Sequence, residues 1–444
     1  MLKTFSIGGI HPSDNKLSAQ SALMQLPPEG TIALFLGQHA GAPAEPVVNK
    51  GDKVKVGQLV AKASGFISAN IHASVSGTVA GIEPVADISG FKKPAIVIQV
   101  EGDEWMPEID SSKDIVRDIT IDSQTIIKKI AAAGLVGLGG AAFPTHVKLS
   151  PPPGKKAEAL IINATECEPY LTADHRVMLE YAEEVLIGTL LLKKALNAPK
   201  VYIGIEDNKP DAIKLLKELV VKYNYDIIIV PLKKRYPQGG EKQLIDAIVG
   251  RQVPSMGLPV DVGVVVQNVN TAFTVYEAVQ KNKPLFEHRV TITGKEAKQQ
   301  VNMIVRVGTA TSKILEAAGG MPESTAKIVC GGPMMGKAIS NIDAPTTKVS
   351  SSILLISEKE TKRKPESNCI RCAKCVEACP IGLEPYLLIK QAQRNMYDEL
   401  EANRLQDCIE CGCCLYSCPA HIPLLDYIRL ARAEVLKIMR SRQK

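Results

Sequence analysis

The middle of this 444-residue chain alternates between short apolar runs and longer stretches with a helical period. Apolar residues that recur every three to four positions indicate amphipathic helices, whereas short continuous apolar runs are typical of buried strands. The strand-like runs are ALIINAT, KVYIGIE, DIIIVPL and VGVVVQNV, and the helical stretches include HRVMLEYAEEVLIGTLLLKKAL and PDAIKLLKELVVKY. This alternation predicts an α/β domain over residues 106–288.

The segments on either side have other patterns. Residues 35–100 hold short β-rich runs broken by Gly-Asp and Ser-Gly turns, and they resemble a sandwich of the lipoyl and biotinyl type. Its hairpin tip would fall near SANIHAS, which offers no lysine to carry a cofactor. We therefore interpret residues 1–105 as a structural or docking module and His72 as an ordinary surface or core residue. Residues 289–357 have the pattern of a small β-grasp domain.

Composition narrows the classes of protein that the chain could be. It is 45% hydrophobic and 23% charged, and no apolar run reaches the roughly 18–20 residues of a membrane span. The N-terminus lacks the apolar core of a secretory signal, so we expect a cytoplasmic chain or one attached to a membrane through something else. The net charge of +6 comes without a basic stripe interleaved with aromatic residues, which argues against nucleic acid as a partner.

Nine of the eleven cysteines lie in the last 76 residues. Eight of them form two runs of the type C-x2-C-x2-C-x3-C-P, which bacterial ferredoxins use for 4Fe–4S clusters, whereas zinc sites favour two pairs separated by a long gap. The predicted ligands are Cys369, Cys372, Cys375, Cys379, Cys408, Cys411, Cys414 and Cys418. The helix-like stretch between the runs predicts a helical ferredoxin module over residues 358–444, entered through the polar linker SEKETKRKPESN.

The arrangement of the two runs also predicts which cysteines bind which cluster. In two-cluster ferredoxins the fourth cysteine of each run binds the other cluster, so we expect Cys379 and Cys418 to be exchanged between the clusters. The extra Cys413 is either a packing residue or an additional ligand, and Cys167 and Cys330 are interpreted as small buried residues.

The stretch GLVGLGGAAFPTHVKL, residues 134–149, has the glycine spacing of a dinucleotide-binding turn. The preceding SQTIIKKIAAAGLV predicts a helix, with Ser123 as its candidate cap, which argues against a Rossmann turn after a strand. Four glycines within seven residues favour a loop whose N–H groups face a phosphate. Because clusters carry single electrons, a flavin at this loop could connect them to a hydride donor.

Several stretches resemble the NADH-binding flavin subunit of complex I. GLGGAAFPTHVKL resembles its flavin loop, and NATECEP, YPQGGEKQLI and VQNVNTA resemble the three segments that follow. The order of sandwich, flavin domain, soluble-ligand-binding β-grasp and two cluster motifs, together with GGIHPSDNK and CGGPMMG, resembles the C subunit of the Rnf electron-transport complex. The C-G-x-C-x-P-C-R motif of the complex I subunit is missing, which argues against complex I itself and against hydrogenase diaphorases.

The resemblance implies FMN as a cofactor beside the two clusters, and NAD(H) as substrate. The implied FMN contacts are Gly137, Gly139, Gly140, Ala141, Lys148, Asn163, Glu166, Tyr236, Gly239, Glu241, Gln267, Asn268 and Thr271. The implied NAD(H) contacts are Phe143, by stacking, and Glu168, by hydrogen bonding to ribose.

The resemblance further implies an electron-transfer subunit in a membrane-bound ferredoxin:NAD oxidoreductase complex that drives ion translocation. Its partners would be the other subunits, with ferredoxin reached indirectly, and its place would be peripheral on the cytoplasmic face of the membrane. Two alternatives stay open. One is a soluble NADH-dependent protein like the cobalamin reductases, and the other is a non-catalytic scaffold that bears clusters, because Leu138, Thr165 and Gly240 replace polar residues of the family pattern.

The end of the chain, LLDYIRLARAEVLKIMRSRQK, predicts an amphipathic helix with basic residues beside its apolar stripe. The stripe consists of Leu424, Ile428, Ala431, Val435 and Met439. We interpret it as a docking helix for a membrane partner, with packing on the chain's own cluster domain as the equal alternative.

Overall fold

The computed structural model of the chain describes residues 2–442, and its first residues run across three other parts of the molecule. Lys3 forms a parallel bridge to Leu232 in the central domain, and the amide of Gly9 donates to the carbonyl of Ala378 in the cluster module at 3.0 Å. Strand β1 (Leu23–Gln25) then pairs in parallel with a strand of the β-grasp sheet. The predicted domain of residues 1–105 therefore contains the sandwich only from about Thr31 onwards.

The sandwich packs a four-stranded antiparallel sheet, in the order β2-β8-β7-β4, against a three-stranded sheet, in the order β3-β5-β6. Its strands are β2 (Thr31–Phe35), β3 (Glu45–Pro46), β4 (Lys53–Val54), β5 (Leu59–Lys62), β6 (Ile71–His72), β7 (Ser76–Ala86) and β8 (Lys92–Gly102). Alternate residues such as Ile96 and Ile98 fill the core, as the period of two requires. His72 is buried there, and burial lowers its pKa to about 3, so it is a neutral core residue.

The central domain has a sheet of four parallel strands, each formed by one of the predicted apolar runs, in the order β11-β10-β9-β12. Its strands are β9 (Ala159–Asn163), β10 (Lys200–Glu206), β11 (Ile228–Leu232) and β12 (Val264–Asn268). Its helices are α1 (Ser123–Ala132), α2 (Thr145–Lys148), α3 (Ala173–Glu180), α4 (Ala182–Leu196), α5 (Pro210–Lys222), α6 (Glu241–Val249) and α7 (Val269–Gln280), with a 3-10 turn at Pro259–Val262. Because the strand order reverses between β9 and β12, a crevice opens beyond their carboxyl ends.

Two local predictions for this domain need correction. Asp122 caps α1, because its carboxylate accepts the amide of Thr125 at 3.0 Å, whereas the hydroxyl of Ser123 donates to the carbonyl of Lys194 at 2.7 Å. The long stretch that reads as one helix is two, α3 and α4, which are separated at Tyr181. The predicted helix before the glycine loop is present, so the loop is not a strand-to-helix turn.

The β-grasp domain has a mixed sheet in the order β1-β14-β13-β17-β15-β16, in which β1 comes from the start of the chain. Its other elements are β13 (Glu287–Thr293), β14 (Val301–Arg306), α8 (Thr311–Ala317), β15 (Thr325–Cys330), β16 (Lys337–Ala338) and β17 (Ser352–Ser357). The central strands β13 and β17 are parallel, and α8 covers one face with Ile314 and Leu315. Apart from β1, the strands of this sheet begin at Glu287, two residues before the predicted boundary.

The last domain is helical, as the sequence predicts. Its elements are α9 (Glu358–Thr361), α10 (Lys374–Glu377), α11 (Pro385–Ala392), α12 (Tyr397–Ala402), a 3-10 turn at Leu405–Asp407, α13 (Cys413–Ser417) and α14 (Leu424–Arg442). No helix within residues 2–442 combines the length and apolar composition needed to cross a lipid bilayer.

The prediction that α14 presents its apolar stripe to a membrane partner is wrong. Ile428 and Val435 are each 1% exposed and pack with Leu388, Leu400 and the cluster cysteines in one core. The stripe therefore holds the chain's own cluster module together. An amphipathic period shows that a helix has a partner, but it does not show which partner.

Candidate functional site

The crevice beyond β9 and β12 is lined by two asparagines that lie opposite each other in the sheet, Asn163 and Asn268. The side chain of Asn163 donates to the carbonyl of Gly239 at 2.9 Å and so ties the β9 loop to the loop before α6. The oxygen of the Asn268 side chain caps α7, and its nitrogen donates to Asp174 at 2.8 Å. Three of the predicted FMN segments thus meet at the point where strand order reverses.

The glycine loop forms a short hairpin over this crevice. Val136 bridges Pro144, and the amide of Gly137 donates to the carbonyl of Phe143 at 2.9 Å, which leaves residues 138–142 as the tip. The amide of Leu138 donates to the hydroxyl of Thr271 at 3.1 Å. Thr271 belongs to the fourth predicted segment, so all four predicted FMN segments are joined.

The two glycines at the tip have different surroundings. A Cβ atom on Gly139 would lie 2.7 Å from the side-chain nitrogen of Asn268, so only glycine allows this approach. A Cβ atom on Gly140 would meet no protein atom within 4 Å. The chain itself therefore leaves space at Gly140, which a bound group can occupy.

The donors around the crevice fit a flavin mononucleotide. The ammonium of Lys148 lies 2.8 Å from a carboxylate oxygen of Glu241 and 3.2 Å from the carbonyl of Val266, in the middle of β12. The side-chain nitrogen of Gln267 is buried and finds no hydrogen-bond partner within residues 2–442. A lysine suits a phosphate, and an unpaired buried amide suits a polar ring edge, because buried donors rarely stay unsatisfied.

The sequence predicts Glu166 as an FMN contact, and the structure places its carboxylate at the start of α3. Its carboxylate accepts the amides of Asp174 at 2.7 Å and His175 at 3.3 Å, so it caps α3. Asp174 in turn holds Asn268 and Asn270. Glu166 therefore positions the crevice from behind, and burial raises the pKa of its carboxyl.

Glu168 and Tyr236 contact the β-grasp and cluster domains. The carboxylate of Glu168 accepts the amides of Met334 at 3.1 Å and Met335 at 2.8 Å, and burial raises its pKa to about 7. The hydroxyl of Tyr236 lies 3.5 Å from Glu168 and donates to the carbonyl of Cys411 at 2.9 Å. Tyr236, predicted as an FMN contact, thus connects the FMN segments to a cluster motif.

The eight motif cysteines fall into an inner and an outer group. Cys379 of the first run lines the same cavity as Cys408, Cys411, Cys413 and Cys414, and we call the four motif cysteines among these five the inner set. Burial raises the pKa of Cys408 to about 11, with smaller contributions from Cys411 and Cys379, so these thiols lie close together. Iron would supply the positive charge that keeps such buried thiols ionised.

The other four motif cysteines form the outer set, which consists of Cys369, Cys372, Cys375 and Cys418. Burial raises the pKa of Cys375, and the nearby Cys418 adds to this shift. The fourth cysteine of the second run therefore lies beside the first run. Cys369 and Cys372 are exposed. Residues 2–442 bring no three His, Cys, Asp or Glu side chains to the spacing of a single-ion site. The donor set of four thiols suits a cube in which each thiolate binds its own iron.

Contacts that the sequence analysis missed hold the inner set against the central domain. The side chain of Gln243 on α6 donates to the carbonyl of Pro380 at 2.9 Å. Gly8 lies so close to the Cys379 carbonyl that a Cβ atom would overlap it. Cys413 is fully buried, with its sulfur 3.9 Å from the carbonyl of Tyr236, so it is a packing residue at this interface. The stretch GGIHPSDNK, which contains Gly8, was the available signal.

Lys16, in the same N-terminal stretch, was also missed. Its ammonium donates to the carbonyls of Glu166 at 2.7 Å, Glu168 at 3.0 Å and Leu171 at 2.7 Å. It therefore fixes the course of the NATECEP loop between β9 and α3. A single lysine in a polar N-terminal stretch carries no sequence signal for this long-range role.

Models of three protein families match separate parts of the chain. The RnfC barrel sandwich hybrid domain matches residues 3–103, the Nuo51 FMN-binding domain matches residues 130–277, and a 4Fe-4S dicluster domain matches residues 358–420. These matches confirm the sandwich, the FMN domain and the two-cluster module.

Two curated relatives match over nearly their whole length. The C subunit of the proton-translocating ferredoxin:NAD(+) oxidoreductase complex of Clostridium ljungdahlii is 46% identical over 98% of this chain and 94% of that protein. The C subunit of the Na(+)-translocating ferredoxin:NAD(+) oxidoreductase complex of Acetobacterium woodii is 42% identical over 97% of this chain and 96% of that protein. An NAD+-reducing NiFe hydrogenase shares the fold, with a TM-score of 0.52 and 18% identity over 71% of this chain and 63% of that chain.

The fold and the site together define a flavin- and iron–sulfur-binding electron-transfer protein. Its cofactors are FMN and 4Fe–4S clusters. The chain belongs to the RnfC family, the C subunits of ion-translocating oxidoreductase complexes.

We predict that Gly140→Val loses FMN while the protein keeps its iron and its thermal stability. A Cβ atom at this position meets no protein atom within 4 Å, so the valine is expected to fill the space of the bound group, whereas Gly139→Val also displaces Asn268. FMN and iron content of the purified variants provide the measurement. Gly65→Val, at an equally open position in the sandwich, is the control. Wild-type FMN content in Gly140→Val would show that the loop is only a structural corner.

We predict that Glu168→Gln keeps FMN but weakens the reaction with NADH. A charge-assisted hydrogen bond contributes about 1.5–3 kcal/mol, so a loss of roughly tenfold to a hundredfold in kcat/KM is expected. Because burial raises the Glu168 pKa to about 7, the accepting carboxylate is lost as the pH falls through 7. The kcat/KM of the wild type should therefore fall below pH 7, whereas the kcat/KM of the variant should not change with the titration of this carboxyl. Glu218→Gln, on the exposed face of α5, is the control, and identical pH profiles would exclude Glu168 from the nucleotide site.

Proposed function

We propose that this chain carries electrons between NAD(H) and the other subunits of a membrane-bound ferredoxin:NAD oxidoreductase complex that drives ion translocation. The observation that carries the proposal is the hydrogen bond from Tyr236 to the carbonyl of Cys411, which joins the FMN segments to the inner cysteine set. Both near full-length relatives are named as C subunits of ferredoxin:NAD(+) oxidoreductase complexes, and their names support the same activity here.

The chain's own residues have distinct tasks in this proposal. FMN held at the crevice would supply the chemistry that converts a hydride from NAD(H) into single electrons for the clusters. Phe143 and Glu168 bind NAD(H), and Glu166 and Tyr236 act as positioning residues behind the crevice. The residues assigned to FMN are Gly137, Gly139, Gly140, Ala141, Lys148, Asn163, Gly239, Glu241, Gln267, Asn268 and Thr271.

Each cysteine set is proposed to hold one cluster, with the fourth cysteines exchanged between the runs. The shared cavity of Cys379 with Cys408, Cys411 and Cys414 supports this assignment, as does the proximity of Cys375 to Cys418. The inner set lies against the FMN domain, whereas Cys369 and Cys372 of the outer set are exposed. We infer that electrons pass between the crevice and the outer set through the inner set.

The place of the chain in the complex follows from the same proposal. We place it peripherally on the cytoplasmic face of the membrane, held by other subunits, and the names of both relatives as members of ion-translocating complexes support this place. The two relatives are named for different ions, protons in one and Na+ in the other, at similar identity to this chain. Ion selectivity is therefore assigned to other subunits.

Anaerobic titration of the purified, cofactor-loaded protein with NADH tests the proposed function. The flavin absorbance should bleach with about one NADH per FMN, and the broad absorbance of the clusters should decline in turn. Dithionite, which reduces the cofactors without the nucleotide site, gives the full signal change for comparison. Protein that dithionite bleaches but NADH leaves oxidised would contradict the function and favour a scaffold.

The exchanged ligands give a separate prediction. Cys379→Ala should alter the cluster signal that Cys411→Ala alters, although Cys379 belongs to the run of Cys372, because it lines the inner cavity. Paramagnetic resonance of the reduced variants distinguishes the two signals, with Cys330→Ala as a control outside both runs. If Cys379→Ala instead reproduces the spectrum of Cys372→Ala, each run binds its own cluster.

A further inference from the structure

The outer cysteine set is reached through a fully exposed stretch of chain. Residues 362–374, which we call the basic segment, are all exposed, and they form no helix or strand before Lys374 starts α10. Cys369 and Cys372 lie within it, and Ile370 between them is 68% exposed. The inner set, in contrast, is covered by the central domain. The segment is therefore the surface at which a redox partner can come close to the outer set.

The net charge of this segment is strongly positive. It carries Lys362, Arg363, Lys364, Arg371 and Lys374 against the single acid Glu366, a balance of +5 and −1, or +4. Internal ion pairs use only two of the five cations, Lys362 with Glu358 at 3.1 Å and Arg363 with Asp426 at 3.1 Å. Lys364, Arg371 and Lys374 have no ion pair within residues 2–442, so their charges face solvent.

We propose that the basic segment is a docking surface for an acidic iron–sulfur domain of a partner protein. The inference rests on the proposed function, and it adds the surface at which electrons enter or leave the outer set and the chemistry of the partner. Electron-transfer encounters bury little surface, so complementary charge has to orient the two proteins. One electron leaves the partner's reduced cluster, which is oxidised, and reduces the outer cluster, with no bond or proton changed. The opposite direction of flow uses the same contact.

An anionic membrane is the other surface that free cations could meet. Polybasic segments bind such membranes most strongly when apolar side chains enter the bilayer, and Ile370 is the one large apolar side chain exposed in residues 362–374. Binding to a bilayer also does not require two exposed cluster ligands at the contact, whereas electron transfer requires a cluster close to it. The position of the cations around Cys369 and Cys372 therefore favours a redox protein.

The experiment compares two charge reversals of equal size in the cofactor-loaded full chain. The test variant is Lys364→Glu with Arg371→Glu and Lys374→Glu, and the control is Lys214→Glu with Lys217→Glu and Lys222→Glu on α5. The probe is a soluble two-cluster ferredoxin with an acidic surface, which stands in for the acidic iron–sulfur domain of the partner. Its affinity and association rate are measured at low salt and at about 0.15 M, where the Debye length is about 8 Å. Iron and FMN content show that both variants are intact.

Wild type and control should bind the ferredoxin faster at low salt than at high salt. The test variant should associate at least about tenfold more slowly at low salt and lose most of the salt dependence, because steering by charge accelerates association by roughly 10- to 1000-fold. A third variant changes the same side chains but keeps their charge, through Lys364→Arg, Arg371→Lys and Lys374→Arg. It should bind the ferredoxin as the wild type does.

Three results would overturn the docking proposal. They are wild-type binding by the test variant, an equal loss in the control, and binding of the wild type to phosphatidylserine vesicles but not to ferredoxin. Reduction of FMN by NADH is measured in the same preparations. Failed docking with intact NADH reduction removes only this inference, whereas absent NADH reduction removes the proposed function.

Discussion

The interface between the central domain and the inner cysteine set is the contact on which the function of this molecule depends. Tyr236 is 2% exposed, and its hydroxyl is satisfied by the Cys411 carbonyl, while its own carbonyl lies against the sulfur of Cys413. Ile10 and Ala378 close the same apolar cluster. Electron transfer needs closely spaced centres, and close-packed side chains hold such a spacing better than a flexible linker could.

The N-terminal stretch and its partners hold this interface in place. Lys16 donates to three carbonyls of the loop that follows β9, and Gly8 and Gly9 press against the Cys379 turn. β1 then fastens the β-grasp sheet beside them. Buried polar groups are costly unless they are paired, so this network specifies one arrangement of three domains.

Local patterns predicted most of the fold and of the cluster site. The four apolar runs became the four parallel strands because a strand buried on both faces needs no polar positions, and the cysteine runs are specific because cube geometry fixes their spacing. Long-range contacts were not predictable. Nothing in the sequence near Tyr236 shows that its hydroxyl reaches Cys411, and the α14 stripe reads the same whether it packs internally or externally. The role of Lys16 was not predictable for the same reason, since the carbonyls that it binds lie about 150 residues away in sequence.

The central claim is that electrons reach the outer set through the inner set. Time-resolved paramagnetic resonance of the cofactor-loaded protein, frozen at intervals after anaerobic mixing with NADH, tests it most directly. The account predicts that the signal lost in Cys411→Ala appears first and that the signal lost in Cys372→Ala follows it. If the Cys372-dependent signal appears first, or still appears at the wild-type rate in Cys411→Ala, the inner set is not on the route.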